Sequence, residues 1–374
     1  MPNGLHLKGV DAFNKADYQT AKALLLQAIV EDPHEPESYL FLGKTCFFCD
    51  EKNEAIAHLE KYTKFNSDEV ANVSYAFDLL GQCFEAENKD SEAIRCYNTA
   101  TQINPSAASA WHNLGLLYIK SAQHYLEQDL GNSFKLFQNA QDFLNKALEI
   151  CSTNPMFLHS VASWYEKYIE ALEKVTEDEA AIQKNIDSNF NMAIKYYQKA
   201  LKACREDDVA LKNIITSNLT ECLAQYGHHL YRANDFVKAL AIYSQANEFD
   251  PDHTIVICQR GMCFFKQKNF PEARMYFSDI PNRTQDPEEL ADAYLNIACT
   301  YMSEESWENA RLNLNKAKDL APQVSAILEI EKELTSKASP ISIASRQTMF
   351  GDSKRDATFQ SSTDVEKLHL GSKF

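Results

Sequence analysis

Glycine and proline are scarce, with 10 and 11 in 374 residues, so the chain holds few of the residues that end helices and punctuate turns. Apolar runs are short: none approaches the roughly 18 residues that span a bilayer, and the opening MPNGLHLKGVDAF lacks the apolar stretch of a secretory leader. Basic residues are outnumbered, 37 against 53 acidic, for a net charge of −16. A field of that sign repels phosphate backbones and anionic lipid, which argues against nucleic acid and membrane as partners. The ten cysteines follow no framework spacing. They read as reduced thiols, and with no leader the expected setting is cytoplasmic or nuclear.

What is abundant is helix-forming and core-forming material. Hydrophobic residues make up 45% of the chain, with 21 Phe and 17 Tyr among them, enough to bury a large core with few breakers to interrupt it. The expected class is all-α.

Self-similarity sets the architecture. The segment WHNLGLLY (111–118) opens, and SEAIRCYNTATQINP (91–105) closes, a helix-turn-helix pattern with a period of about 34 residues. The clearest copy has Phe77, Leu80, Gly81 and Phe84 on its first helix, Ala93, Tyr97 and Ala100 on its second, and Pro105 at its close. The last repeats it with Tyr294, Ile297, Ala298, Tyr301, Ala310, Leu314, Ala317 and Pro322. On these residues the chain resembles the tetratricopeptide-repeat (TPR) family from Leu5 to about Lys337. The resemblance implies a right-handed superhelical solenoid of about eight units, near 2–35, 36–69, 74–107, 108–155, 155–206, 208–253, 254–287 and 291–324. An amphipathic capping helix then runs to 337, and a Ser/Thr-rich tail at 338–374 reads as disordered.

Packing explains the pattern. Gly43, Gly81, Gly115, Gly227 and Gly261 fall in the middle of first helices, where glycine costs up to about 1 kcal/mol relative to alanine. Close approach of the second helix offsets that cost, with Ala93 and Ala310 as the small residues on the other side. Pro33, Pro105, Pro155, Pro251 and Pro322 are expected to close units.

Two units depart from the period. The fourth carries about 13 extra residues and the fifth about 19, in the helix-prone stretches 120–138 and 166–189. Longer helices projecting from the solenoid are expected, with turns near Gly131-Asn132 and around 185–189. The stretch DDVALKNIITSNLTEC (207–222) reads as helix ahead of the sixth unit. Such insertions are either drift at tolerant loops or a hairpin that docks on a partner.

Residues with catalytic or metal-binding potential fall short of a site. Leu42-Gly43-Lys44-Thr45 ends like a phosphate loop, but Ser38 stands where the leading glycine belongs. Cys46 and Cys49 have ligand spacing without a second pair, and Cys46 takes the core position of Phe84 and Tyr118. His112, His159, His228 and His229 show no zinc-enzyme or triad spacing. The expectation is no enzyme, no metal and no cofactor.

In the TPR family the first helix lines the concave groove, and the residues two before and one after the small residue face it. Those slots hold Leu79, Asn113, Ser160, Gln225, Gln259 and Asn296, with His228 one after Gly227. The amides resemble the asparagine ladder by which TPR arrays of the O-GlcNAc transferase and peroxisomal import receptor types hold a peptide backbone, although Ser160 breaks the row. The lysines and arginine of the chaperone carboxylate clamp are missing from the matching positions His6, Val10, Leu79, Ser109 and Asn113. The expected role is a scaffold or adaptor holding an extended or helical protein segment, neutral or basic, within a larger assembly. The alternative is an enzyme or small-molecule-sensing receptor using a pocket in the superhelix or the irregular middle units.

Overall fold

The structure is a computed structural model that describes residues 4–65, 68–175 and 179–335; the tail expected at 338–374 lies outside them. Among the described residues every regular element is helical, and the α-helices follow one another in pairs. The first pairs are α1 (Gly4–Asn14) with α2 (Tyr18–Glu31), α3 (Pro36–Phe48) with α4 (Lys52–Thr63), and α5 (Val70–Ala86) with α6 (Asp90–Ile103). Longer helices come next: α7 (Ala108–Tyr125) with α8 (Leu130–Ile150), and α9 (Pro155–Leu172) with α10 (Glu179–Ala203). Then come α11 (Val209–Arg232) with α12 (Phe236–Phe249), α13 (Thr254–Lys266) with α14 (Phe270–Asp279), α15 (Pro287–Ser303) with α16 (Trp307–Leu320), and a last helix α17 (Ser325–Thr335). The odd-numbered member of each pair is its A helix and the even-numbered member its B helix. Chain contacts divide them into two compact units, one ending at Asp207 after α10, the other beginning at Asp208 before α11. None of the described helices is long and apolar enough to cross a membrane.

The glycines sit where helix A meets helix B. A methyl group on Gly115 would stand 2.8 Å from the Leu144 side chain, and one on Gly43 2.6 Å from Leu59. On Gly81 and Gly227 it would run into the rings of Tyr97 and Tyr243. Each B helix meets this gap with one face: Ala55, Leu59 and Tyr62, or Ala93, Tyr97 and Ala100, or Ala239, Tyr243 and Ala246, all fully buried. Spacings of four and three residues put such a triplet on one side of a helix.

Turns from A to B share one device in six pairs. Ala16, Asp50, Asn88, Asn234, Lys268 and Glu305 adopt left-handed φ values between 58° and 63°. The following N–H then reaches back to a carbonyl five residues earlier, as in Lys89 to Phe84 at 2.8 Å, Glu51 to Cys46 at 2.9 Å and Ser306 to Tyr301 at 2.8 Å. This closure satisfies carbonyls the helix end leaves open. Three turns from B to A use an Asx-Pro step: Asp32, Asn104 and Asp250 accept the N–H two residues on at 3.0, 3.0 and 3.1 Å, with Pro33, Pro105 and Pro251 between. Pro155 is different. It does not close the fourth pair but starts α9, capped by Asn154 Oδ1, which accepts from Met156 and Phe157. The first turn of a helix has no acceptor for that N–H, so proline is at no disadvantage there.

The extra residues lengthen α7 to α10. No turn interrupts 185–189, which lies inside α10. Asn189 and Asn191 donate to the carbonyls of Asn185 and Asp187 four residues back, at 2.8 and 2.7 Å, so these polar side chains stay within the helical pattern. Ile186, Phe190, Ala193 and Ile194 give α10 its buried stripe. Near Gly131 the reversal falls slightly earlier, with Asp129 capping α8 through Asn132 N at 3.0 Å. The added turns also do not stand clear as a hairpin: Ile119 and Ala122 of α7, Phe137 of α8, and Trp164 and Ala171 of α9 form one apolar cluster. Trp164 Nε1 donates to Phe137 O at 2.8 Å and Ser133 Oγ to Ala122 O at 2.8 Å. The stretch ahead of the sixth pair is continuous with α11. At the far end Ile327, Ile330 and Leu334 of α17 pack into a cluster with Leu314 and Ala317 of α16.

Replacing Gly115 by Leu is expected to overpack the α7–α8 contact and lower stability by about 1–3 kcal/mol in denaturant unfolding; a melt identical to wild type would refute the packing assignment. Lys268→Gly removes a left-handed non-glycine residue, and a gain of about 0.5–1 kcal/mol is expected in the same measurement once the entropy of an unfolded glycine is allowed for.

Candidate functional site: the wall of A helices

In the first unit each A helix touches the next, α1 through α9, and in the second α11 touches α13 and α13 touches α15. Consecutive A helices therefore build one wall in each unit, with the B helices behind it.

Hydrogen bonds cross this wall in a register tied to the small residues. The side chain two before the small residue reaches the side chain three before the small residue of the preceding A helix. Asn113 Nδ2 donates to Asp78 Oδ1 at 2.9 Å, Ser160 Oγ lies 2.8 Å from His112 Nε2, and Asn296 Nδ2 donates to Cys258 Sγ at 3.5 Å. Gln259 hydrogen-bonds instead to His228 of α11, and His6 Nδ1 lies 3.0 Å from Ser38 Oγ between α1 and α3.

This alters the expected groove positions. Asn113 and Ser160 are only 4% and 3% exposed, so they stitch the wall together rather than face a peptide. Adjacent A helices approach closely enough that these short side chains are shared between them. Gln225, Gln259 and Asn296 remain half-buried and His228 is exposed. Gln225 Nε2 donates to Glu221 Oε1 on its own helix at 3.0 Å. Of the six polar positions, the four that solvent still reaches all belong to the second unit.

Two carboxyl groups on the wall were missed by sequence reasoning. Asp78 is 1% exposed, and burial pushes its pKa up to about 6 against the opposing influence of Ser109, Asn113 and Gln82. Burial likewise pushes Glu221 up to about 7, opposed by the hydrogen bond from Gln225. The signal available for Asp78 was a lone charge in the apolar run Phe77-Asp78-Leu79-Leu80 on a helix that buries Leu79 and Leu80. Lys44 of α3 lies 4.7 Å from the ring centroids of both Phe41 and Tyr75, and burial lowers its pKa to about 8.

The motif lookalikes resolve as structure. Residues 42–45 lie inside α3, where backbone N–H groups serve the helix. Cys46 is fully buried, and burial raises its thiol to about 12. Its Sγ comes within 4.8 Å of a Glu54 oxygen and a His58 nitrogen, which are zinc-ligand types. Lys22 already matches the acidic side of this cluster, at 2.6 Å from Glu51 and 2.7 Å from Glu54.

Because Asp78 binds its proton more tightly folded than unfolded, the stability it contributes is fully present below about pH 4 and is lost as pH rises through about 6. Asp78→Asn removes a buried charge of the same shape. It is expected to stabilise the protein by about 1–3 kcal/mol at pH 7.5, with the gain shrinking toward pH 4 in thermal melts across that range.

A family model for the TPR repeat matches residues 81–121, and one for the tetratricopeptide repeat matches residues 36–69 and 291–324. Among curated proteins none matches the chain. Among solved structures the chain is similar to the C-terminal part of a TPR repeat-containing protein from Cytophaga hutchinsonii, at 14% identity over 87% of this chain and 98% of that one, with a TM-score of 0.38. It is similar to PilF of Pseudomonas aeruginosa at 15% identity, covering 71% and 99%, with a TM-score of 0.38. It is also similar to YrrB, a TPR protein with an unusual peptide-binding site, at 23% identity, covering 63% and 97%, with a TM-score of 0.37. Similarities at these TM-scores carry no weight beside the matched repeats and the recurrent contact of a small A-helix residue with a B-helix ring or leucine. Matched in three separate segments and built in both units from the same helix pair, the chain carries tetratricopeptide repeats.

Proposed function

We propose that the protein is a non-catalytic scaffold or adaptor of the cytoplasm or nucleus that holds an extended or helical segment of a partner protein against its wall of A helices, as a subunit of a larger assembly. One observation carries this reading: the half-buried amides Gln225, Gln259 and Asn296 stand on three successive A helices of the second unit, next to the exposed His228. An amide donates and accepts at once, so a row of them matches a peptide backbone whatever its side chains. Glu221 beside Gln225 and the net charge of −16 favour a neutral or basic segment over an acidic one. A non-catalytic role fits the thiols, since burial holds Cys83, Cys258 and Cys263 near 12, far from a reactive thiolate.

The test is affinity capture from native lysate with the full chain as bait, read by mass spectrometry, beside the triple variant Gln225→Ala, Gln259→Ala, Asn296→Ala. A stoichiometric protein partner is expected with wild type, and about tenfold weaker capture with the triple variant at an unchanged circular dichroism spectrum. Equal capture by both would remove the amide row from the interface. A lone protein eluting with a bound metabolite would overturn the scaffold reading in favour of a small-molecule receptor.

A further inference from the structure

The first unit holds a cavity of about 310 Å3, bounded by the start of α5, the loop joining α6 to α7, and the start of α9. Its lining includes Asp78, Tyr75 and Phe157, with Ala71 and the polar side chains of Asn104 and Asn154 among the rest. Asp78 is 1% exposed; Asn113 serves its Oδ1 at 2.9 Å, and Ser109 and Gln82 also act on the carboxyl as hydrogen-bonding neighbours, yet no donor stands in hydrogen-bond geometry to its buried Oδ2. A carboxylate oxygen so placed is costly to keep unless something completes it.

The chemistry of the missing partner follows from the groups present. An ionised carboxylate only accepts, so the ligand must donate. One oxygen lacks a donor rather than two. That disfavours the two-pronged guanidinium, which pairs with both carboxylate oxygens, and favours the point charge of an ammonium group. Tyr75 and Phe157 offer aromatic surface to a methylene stem and to the cation at its tip. The wall already shows this affinity, since the Lys44 ammonium rests 4.7 Å from the Tyr75 ring centroid. The acidic balance of the whole chain draws cationic segments toward it.

We propose that this cavity receives a lysine side chain of a partner protein segment, its ammonium donating to Asp78 Oδ2 and its methylenes lying along Tyr75 and Phe157. The proposal rests on the scaffold reading and adds to it the chemistry of one anchoring residue. The titratable and charged groups facing Asp78 are Tyr75 on its own helix, Tyr97 on α6, and Lys44 on α3 beyond the Tyr75 ring; α7 presents Ser109 and Asn113. Burial raises both phenols, so they are neutral at working pH. Asp78 is therefore the group whose charge changes between pH 5 and 7.5.

Two mixtures of heptapeptides, randomised except for a central lysine in one and a central norleucine in the other, are passed over the immobilised full-length protein. At pH 7.5 the lysine mixture is expected to be retained about tenfold better, with the preference fading toward pH 5. Asp78→Asn, which keeps the size and an acceptor for Asn113, is expected to abolish the preference, as is Ala71→Trp, which fills the cavity from an exposed rim position. Equal retention of both mixtures by wild type, or a lysine preference that survives Asp78→Asn, overturns the lysine site and leaves the scaffold reading standing. Retention of neither mixture counts against both.

Discussion

Each pair in this array depends on how near helix A lets helix B come. At Gly81 the ring of Tyr97 occupies the space a side chain would take, and at Gly115 the Leu144 side chain does the same. That contact sets the separation of the two helices and seats the Ala-ring-Ala face of helix B against its partner. With helix separation set, one left-handed residue and a single back-reaching hydrogen bond suffice to reverse the chain. The small residue also fixes the register of helix A, which is why Asn113, Ser160 and Asn296 can all find side chains at the same offset on the preceding A helix.

The wall made this way is not uniform. In the first unit its polar positions are consumed internally, by Asn113 with Asp78 and Ser160 with His112, leaving one buried carboxylate oxygen without a hydrogen bond on a residue that lines a cavity. In the second unit the amides are linked more loosely and stay within reach of solvent. The same helix pair thus yields a cavity lined in part by a buried carboxyl in one unit and a polar strip in the other.

Much of this was legible in the sequence because the period of a helix is short and local. Ala93, Tyr97 and Ala100 announce one buried face by spacing alone, and Gly81 marks the place that face must meet. The orientation of Asn113 and Ser160 was not legible, since it depends on the distance between A helices whose bonded residues lie 35 and 48 positions apart, a tertiary quantity. Asp78 was missed for a related reason: a carboxylate beside Leu79 looks like a solvated residue until α7 covers it. The asparagines at 185 and 189 suggest a turn because asparagine often bonds its own local backbone, yet Asn189 and Asn191 bond the carbonyl four residues back when an apolar stripe such as Ile186, Phe190 and Ile194 holds the helix. Nothing in the propensities of Lys268 or Glu305 marks them as left-handed; the geometry of the reversal imposes it.

The layer of added turns shared by α7, α8 and α9 bears on how the first unit comes apart. A row of helix pairs that touch only their neighbours frays inward from its free end, because each lost pair exposes the next and little else. Here the row thickens at its fourth and fifth pairs, where Trp164 and Phe137 tie two pairs into one cluster. Opening that joint means exposing two pairs at once. Fraying that begins at α1 should stall there, so amide protons of α1 to α4 exchange through partial openings while those of α8 to α10 wait for unfolding of the whole unit.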